Sequence, residues 1–333
     1  MEYPSRTEIV TAMSNPKICY KANELVGGNI IRNGAMIVQY AGGYTTVFPF
    51  INRSGKKVAV RCWCADIDNA KKRSFAISEY LNREQNSYFV NFQYVADAIL
   101  INGKLQPVIV MEWIDGKPLK EYINHNLNPN TIRQIANKFK LMVAEFHKKN
   151  IAHGDLQHGN ILVKDNGDLV LVDYDSMYIE QLNGMSDTIK GLPGYQHPAR
   201  IKNQYVNSKL DYFSELIIYL SLLIFAEKPQ LWQHYYGTED LLFTKEDFAN
   251  FINSDIYKNY STSGNGMISN LIQYLRDELT KTDILQLSPL EELLIDKLEK
   301  AKDNIMKKWE NQPNLPQKKV YSLPNANLII SKF

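Results

Sequence analysis

Residues 151–163 read IAHGDLQHGNILV, and shortly after them the run LVLV leads into Asp173. The oxygen-bearing side chains here suggest phosphate chemistry. Asp155 offers a carboxylate that can align an attacking hydroxyl and accept its proton. The Asn160 carbonyl and the Asp173 carboxylate are hard oxygen donors, suited to Mg2+ held between protein and phosphate. Read together, they predict one acidic pocket divided by role, with the base at Asp155 and the cation at Asn160 and Asp173. His153 reads as a structural hydrogen-bonding residue. With six histidines in the chain and no compact His/Cys pattern, the sequence argues against a zinc site.

The flanking segments must hold these residues in place. Residues 160–163 and 169–172 are strand-like and flank DNGD, which predicts a hairpin with the acidic motifs at its margins. Before them, residues 131–149 repeat apolar side chains at Ile132, Ile135, Phe139, Met142, Val143 and Phe146, the pattern of a helix with one buried stripe. Further upstream, MIVQYAGGYTTVFPFI and KKVAVRCWC read as strands joined through NRSG. Residues 69–86 follow as an amphipathic helix with Phe75, Ile77, Tyr80 and Leu81 apolar. FVNFQYVADAILING and QPVIVMEWI are again strand-like. Gly116 and Pro118 break that pattern, and the periodicity turns helical after Leu119.

The fold class expected is therefore α+β and bilobal, with a small antiparallel sheet lobe and a larger helical lobe. An extension over residues 1–35 packs on the first lobe or frays. The sheet lobe covers 36–114, the helical lobe 115–310 and a Pro/Asn-rich tail 311–333. Residues 209–225 form the most apolar helix, with further helices near 244–252, 266–279 and 289–309. Lys307 and Lys308 read as a solvated helix end. Tyr20, Trp232, Tyr235 and Tyr236 read as core or interlobe packing, with an aromatic partner surface as the alternative.

Composition narrows the classes. The 333 residues are 44% hydrophobic and 22% charged, enough to bury a substantial core. A net charge of +2, from 38 basic and 36 acidic residues, gives no bulk attraction to nucleic acid or an anionic membrane. The apolar run at 216–226 is too short to cross a bilayer. The first residues carry no secretion-signal pattern, so the expected location is cytoplasmic. Cys19, Cys62 and Cys64 are an odd set, expected reduced.

At this level of detail HGDLQHGN resembles the catalytic loop of the protein-kinase-like superfamily, which includes protein kinases and related small-molecule phosphotransferases. VDYD resembles its metal-binding motif. The resemblance implies ATP and Mg2+ as cofactors, Asp155 as base, and Asn160 and Asp173 as metal ligands. YAGGYTTV resembles a degenerate phosphate-covering loop through Gly42, Tyr44 and Val47, with Gly43 as a further cofactor-binding candidate and Tyr40 and Thr45 in place of two glycines. A tight strand turn is the alternative for the two glycines. VAVR, with Ala59, places Arg61 at the phosphate-pairing lysine, and Glu79 at its acidic partner, so an Arg61–Glu79 ion pair is expected. Met111, Glu112, Trp113 and Ile114 resemble the segment linking the lobes, with the Glu112 carbonyl and Ile114 amide facing adenine. Leu162 completes the expected nucleotide contacts. GLPGYQHPAR resembles the end of the activation segment, where Tyr195 and His197 shape a groove or stabilise the fold. Asp211 resembles the aspartate that supports the catalytic loop.

More narrowly, HGDLQHGNILV, DYD and YQHPAR resemble an atypical bacterial serine/threonine protein-kinase-like family, in which an arginine after VAV is common. The implied function is transfer of the ATP γ-phosphate to protein Ser/Thr hydroxyls, with a protein substrate and a possible regulatory protein partner. The departures keep two alternatives open. Arg61 has a larger planar fork than lysine, Gln157 is neutral where protein kinases commonly use Lys, and Asp175 replaces a glycine. A nucleotide-binding interaction module with little transfer is one alternative, and a small-molecule kinase is the other.

Overall fold

The structure, a computed structural model, describes residues 3–65 and 69–294. The expected tail, and all but the first turn of the expected helix at 289–309, lie outside the described residues. The first part of the chain contributes α1 (Arg6–Met13), α2 (Pro16–Cys19) and the short strands β1 (Asn29–Ile30), β2 (Arg32–Asn33), β3 (Met36–Ile37) and β4 (Tyr40–Ala41). Then come β5 (Thr45–Ile51), β6 (Lys57–Trp63), α3 (Ala70–Glu84), β7 (Phe92–Ile101) and β8 (Lys104–Glu112). The main sheet runs in the order β1-β5-β6-β8-β7, with β4 folded back on β5. All its pairings are antiparallel.

Strand alternation decides what this sheet presents to each side. Val58, Val60 and Cys62 of β6 point into a core with Phe48 and Phe50 of β5. Ile9, Ala12 and Met13 of α1 close that core, so residues 6–25 form the back wall of the small lobe. Ala59 and Arg61, on the opposite face of β6, line a cleft. Phe75 departs from the expected α3 stripe. It is exposed at the helix surface, edge-on to Tyr94 at 6.0 Å.

Past β8 the chain forms β9 (Gly116–Pro118), α4 (Leu119–His125) and α5 (Pro129–Lys148). α5 starts at an Asn128 N-cap followed by Pro129, and its six-residue apolar stripe is entirely buried. β10 (Ile161–Lys164) and β11 (Leu169–Leu171) make the expected hairpin, and β9 pairs with β10 at its other edge. α6 (Tyr212–Glu227) is buried on almost every face and packs on α5. α7 (Trp232–Tyr235), α8 (Lys245–Ala249), α9 (Asp255–Tyr260), α10 (Gly266–Glu278) and α11 (Leu290–Leu293) complete the larger lobe. Trp232 and Tyr20 are buried, and Tyr236 is partly exposed. No helix among the described residues is long and apolar enough to cross a membrane.

Candidate active site

The loop between α5 and β10 is held from below by Asp211, which precedes α6. Its Oδ1 accepts a hydrogen bond from Gly154 N at 2.9 Å, and its Oδ2 accepts one from His153 N. A buried carboxylate that takes two main-chain N–H groups fixes the loop as a rigid turn. Gly154 sits at φ +79 with Ser176 O only 2.1 Å from where a Cβ would be, so no other residue fits there. The His153 ring packs inside. Its Nε2 lies 2.9 Å from Val172 O, and Asp155 N donates to its Nδ1 at 3.4 Å, which sets the tautomer with Nε2 protonated. His153 thus ties the loop to the strand that delivers Asp173.

Asn160 binds Asp155 twice, with Nδ2 donating to its main-chain oxygen at 2.8 Å and to Oδ2 at 3.2 Å. The other carboxylate oxygen of Asp155, Oδ1, is buried and has no hydrogen-bond partner. Burial pushes the Asp155 carboxyl up to about 6, with the nearby Asp173 charge adding to the shift against the pull of the Asn160 hydrogen bond. Val172 N donates to Asn160 O at 3.0 Å, which seats Asp173 beside Asn160. Asp173 itself adopts the left-handed region, φ 67, and its side chain is half exposed. The next residue, Tyr174, is buried, with its hydroxyl donating to Leu171 O and accepting from Val90 N.

Arg61 crosses to this segment. Its NH1 lies 3.0 Å from Asp175 Oδ1, its NH2 pairs with Asp175 Oδ2, and NH1 also reaches Asp173 Oδ1 at 3.3 Å. The expected Arg61–Glu79 ion pair is corrected by this geometry. Glu79 lies on the exposed face of α3, whereas the buried face carries Arg73, Ser74 and Ile77. The planar guanidinium fork instead finds a carboxylate in Asp175, placed where a glycine was expected. Arg61 NE is steadied by Thr45 Oγ1 at 3.1 Å.

One cleft of about 560 Å³ collects most of the remaining expected residues: Gly42, Val47, Ala59, Arg61, Met111, Glu112, Ile114, Leu162 and Asp173. That volume and its apolar walls suit a nucleotide-sized ligand. Gly43 instead lines an adjoining pocket of about 130 Å³ with Asp155, Asp173 and Asp175. Glu79 lines neither. Gly42 and Gly43 stand at the tip of the β4–β5 hairpin, above the acidic groups. The Gly42 carbonyl also accepts a hydrogen bond from Arg6 of α1 at 2.6 Å. Val90, Val172 and Gly159 line the cleft without having been expected, because an apolar residue or a lone glycine carries no chemical signature. Trp113 stands at the rim, with Tyr40 at 6.2 Å and the Lys57 ammonium 4.0 Å above its ring. Gln157 lines neither pocket, and its Oε1 accepts from Gly159 N at 2.7 Å.

Tyr195 and His197 are both buried. The Tyr195 hydroxyl meets His158 Nδ1, and His197 lies between Ala199 N and Glu278 O. Their place is in the fold. Ser176 and Cys62 are buried as well, and all three cysteines are free.

The donor set fits magnesium. The Asn160 amide nitrogen is committed to Asp155, which leaves its carbonyl oxygen as the end able to meet a cation, and Asp173 adds a carboxylate. Among the described residues no group of three His, Cys, Asp or Glu could hold a metal ion, and a Mg2+ at Asn160 and Asp173 would take its further oxygens from water or phosphate.

Comparison with known proteins agrees with this geometry. The family model described as the protein kinase domain matches residues 41–286. The chain is similar to the serine/threonine-protein kinase CLA4 of Candida albicans, 28% identical over 200 residues, 58% of this chain and 20% of that protein. It is likewise similar to the serine/threonine-protein kinases STE20 of Kluyveromyces lactis and of Saccharomyces cerevisiae, each 26% identical. Those matches cover 68% and 57% of this chain and 21% and 20% of the relatives. The chain thus spans about a fifth of the length of these relatives. They are fungal kinases, which corrects the narrower expectation of an atypical bacterial family.

Proposed function

Because the chain belongs to the protein kinase domain family, we propose that it transfers the γ-phosphate of ATP to serine or threonine hydroxyls of a protein substrate. The observation that carries this reading is the position of Asp155. Its carboxylate is fixed by Asn160 and lines a pocket continuous with the nucleotide-sized cleft. The relatives are named serine/threonine-protein kinases, which supports the acceptor class. In this reading the sheet lobe covers the nucleotide and the helical lobe, described as far as residue 294, presents the acceptor.

In the reaction the acceptor oxygen attacks the γ-phosphorus while its proton passes to the Asp155 carboxylate. The new O–P bond forms as the bond from the γ-phosphorus to the β–γ bridging oxygen breaks, and ADP leaves with that electron pair. Asn160 keeps the base oriented, and Asp211 keeps the loop from tilting. Asn160 and Asp173 would hold Mg2+, which would supply neutralisation of phosphate charge when bound. Val47, Ala59, Met111 and Leu162 wall the adenine end and exclude water, and the Gly42–Gly43 hairpin tip covers the phosphates.

The test is transfer of labelled γ-phosphate from ATP-Mg to a library of Ser- and Thr-containing peptides by the purified chain. Wild type is expected to label peptides, and Asp155→Asn to bind nucleotide without labelling. A nucleotide-binding wild type that labels no peptide would overturn the reading. It would favour the second one, a nucleotide-responsive binding module, which the neutral Gln157, occupied by Gly159 N, supports. Turnover of a metabolite pool without peptide labelling would point instead to a small-molecule acceptor.

A further inference from the structure

Two buried polar atoms without partners face the same spot. One is Asp155 Oδ1, and the other is the amide nitrogen Nε2 of Gln196. A Cβ placed on Gly191 would lie 2.5 Å from the first and 2.9 Å from the second. They are an acceptor and a donor, and Gly191, at φ +71, presents only main chain between them. Gln196 is itself 7% exposed, and its orientation is fixed. Its Oε1 accepts from Arg200 NH1, so the NH2 end has to point towards Gly191. Arg200 is in turn fixed by Asp187, with NE and NH2 3.3 and 3.1 Å from its two carboxylate oxygens. Gly191 and Gln196 also border a second cleft of about 500 Å³, between residues 190–201 and α8. The spot therefore stands between that cleft and the acidic pocket holding Asp155 and Asp173.

We propose that Asp155 Oδ1 and Gln196 Nε2 form the seat of the acceptor hydroxyl, that the Gly191 main chain closes this seat in the present structure, and that Gln196 positions the acceptor. This rests on the phosphotransfer reading above. A hydroxyl is both donor and acceptor, and the seat offers the matching pair: it donates to Asp155 and accepts from Gln196. The proton it gives to Asp155 is the one that reading already moves, so Gln196 adds orientation and no further chemical step. Gly191 must shift for the hydroxyl to enter, and a glycine with positive φ can pivot where a side chain would strike both atoms. The role that a lysine at position 157 would share is in this way supplied by a neutral donor from the other side of the base.

Gln196→Glu tests the idea, because it keeps the acceptor for Arg200 and replaces the donor with a carboxylate oxygen, whose charge the pH comparison below separates from the loss of the donor. The full chain is assayed with ATP-Mg and the Ser/Thr peptide library, alongside Asp155→Asn and a fluorescent nucleotide for binding. The expected result is unchanged nucleotide affinity, with peptide turnover reduced on the order of a hundredfold, the scale for losing one positioned donor. The loss is expected to persist at pH 9, where a carboxylate's effect on Asp155 ionisation has been titrated away. Recovery to the wild-type rate at pH 9, or wild-type turnover at every pH, overturns the acceptor seat while leaving phosphotransfer standing, provided Asp155→Asn is inactive. Absence of transfer by wild type overturns both. Should Gln196→Glu fail to fold, Gln196→Met is read by the same comparison.

Discussion

Replacing Asp175 with alanine tests the Arg61 clasp directly. The two side chains are 8% and 18% exposed and pair through both guanidinium nitrogens. Removing one partner of a buried pair leaves a charge without compensation, at about 3–5 kcal/mol. Asp173 at 3.3 Å and Thr45 at 3.1 Å remain, which puts the loss near the lower end, about 3 kcal/mol. For a chain of this size that corresponds to a fall in melting temperature of about 4 °C. A second effect separates this pair from a generic contact. Once released, Arg61 turns wholly onto Asp173 and competes with magnesium there, so the Mg2+ requirement for nucleotide binding rises by about tenfold, or 1.4 kcal/mol. Arg61→Met combined with Asp175→Leu removes both charges and is expected to melt near wild type, since a buried pair is often replaceable by apolar packing. Scanning calorimetry and a Mg2+ titration of fluorescent-nucleotide binding read the two effects. Melting of Asp175→Ala within 1 °C of wild type, or a double variant as unstable as the single, would refute the reasoning.

Three further outcomes follow from the site. Peptide labelling by wild type should fall as pH drops through about 6, because the raised Asp155 carboxyl takes up its proton there; a limb near an ordinary aspartate value of 3.8 would contradict the burial argument. At His147, burial would lower the pKa, but hydrogen bonds and charges from Glu215 and Glu291 win and hold it up at about 9. Its contribution is therefore fully present below about 6.5 and is lost as pH rises through about 9, so His147→Ala should flatten the melting-temperature decline between pH 7 and 9, a slope worth about 2 kcal/mol in wild type. Asp211→Asn can accept only one of the two loop amides and should reduce turnover by about 1–3 kcal/mol of barrier while leaving nucleotide affinity in place; unaltered turnover would show that the loop holds its shape without it.

The elements of this fold were legible wherever periodicity matched burial. α5 carries its stripe at the positions the spacing predicts, and the β10–β11 hairpin closes around DNGD. The residues expected as base and metal ligands lie side by side, and most of the expected nucleotide contacts line one cleft, because those motifs set side-chain chemistry within a few residues of one another. Long-range pairing was not legible. Arg61 and Asp175 are separated by 114 positions, and choosing Asp175 over Glu79 needed the facing of α3, which the sequence left ambiguous by placing an exposed Phe75 in the supposed apolar stripe. Gln196 escaped for a related reason. A single amide in a loop has no pattern, and its meaning comes from Arg200 behind it and Gly191 in front.

The distribution of charge around Asp155 connects these departures. Gln157 is neutral and holds Gly159, and Arg61 is occupied by Asp173 and Asp175. Among the described residues His153 and, more weakly, Arg200 pull the Asp155 carboxyl down, and Arg200 is buried and already paired with Asp187. What reaches Asp155 from that side is thus the field of an ion pair, weaker than that of a free ammonium. Burial and the Asp173 carboxylate prevail, and the base stays near 6. A carboxylate with that pKa takes a proton more readily than an ordinary aspartate while remaining mostly ionised at neutral pH. The proton-transfer half of the reaction is consequently well served by this arrangement. The phosphoryl half lacks a lysine charge, so neutralisation of the transferring group falls on Asn160, Asp173 and the magnesium they would hold. Activity in this chain should therefore depend more steeply on Mg2+ than in a kinase with lysine at the position of Gln157.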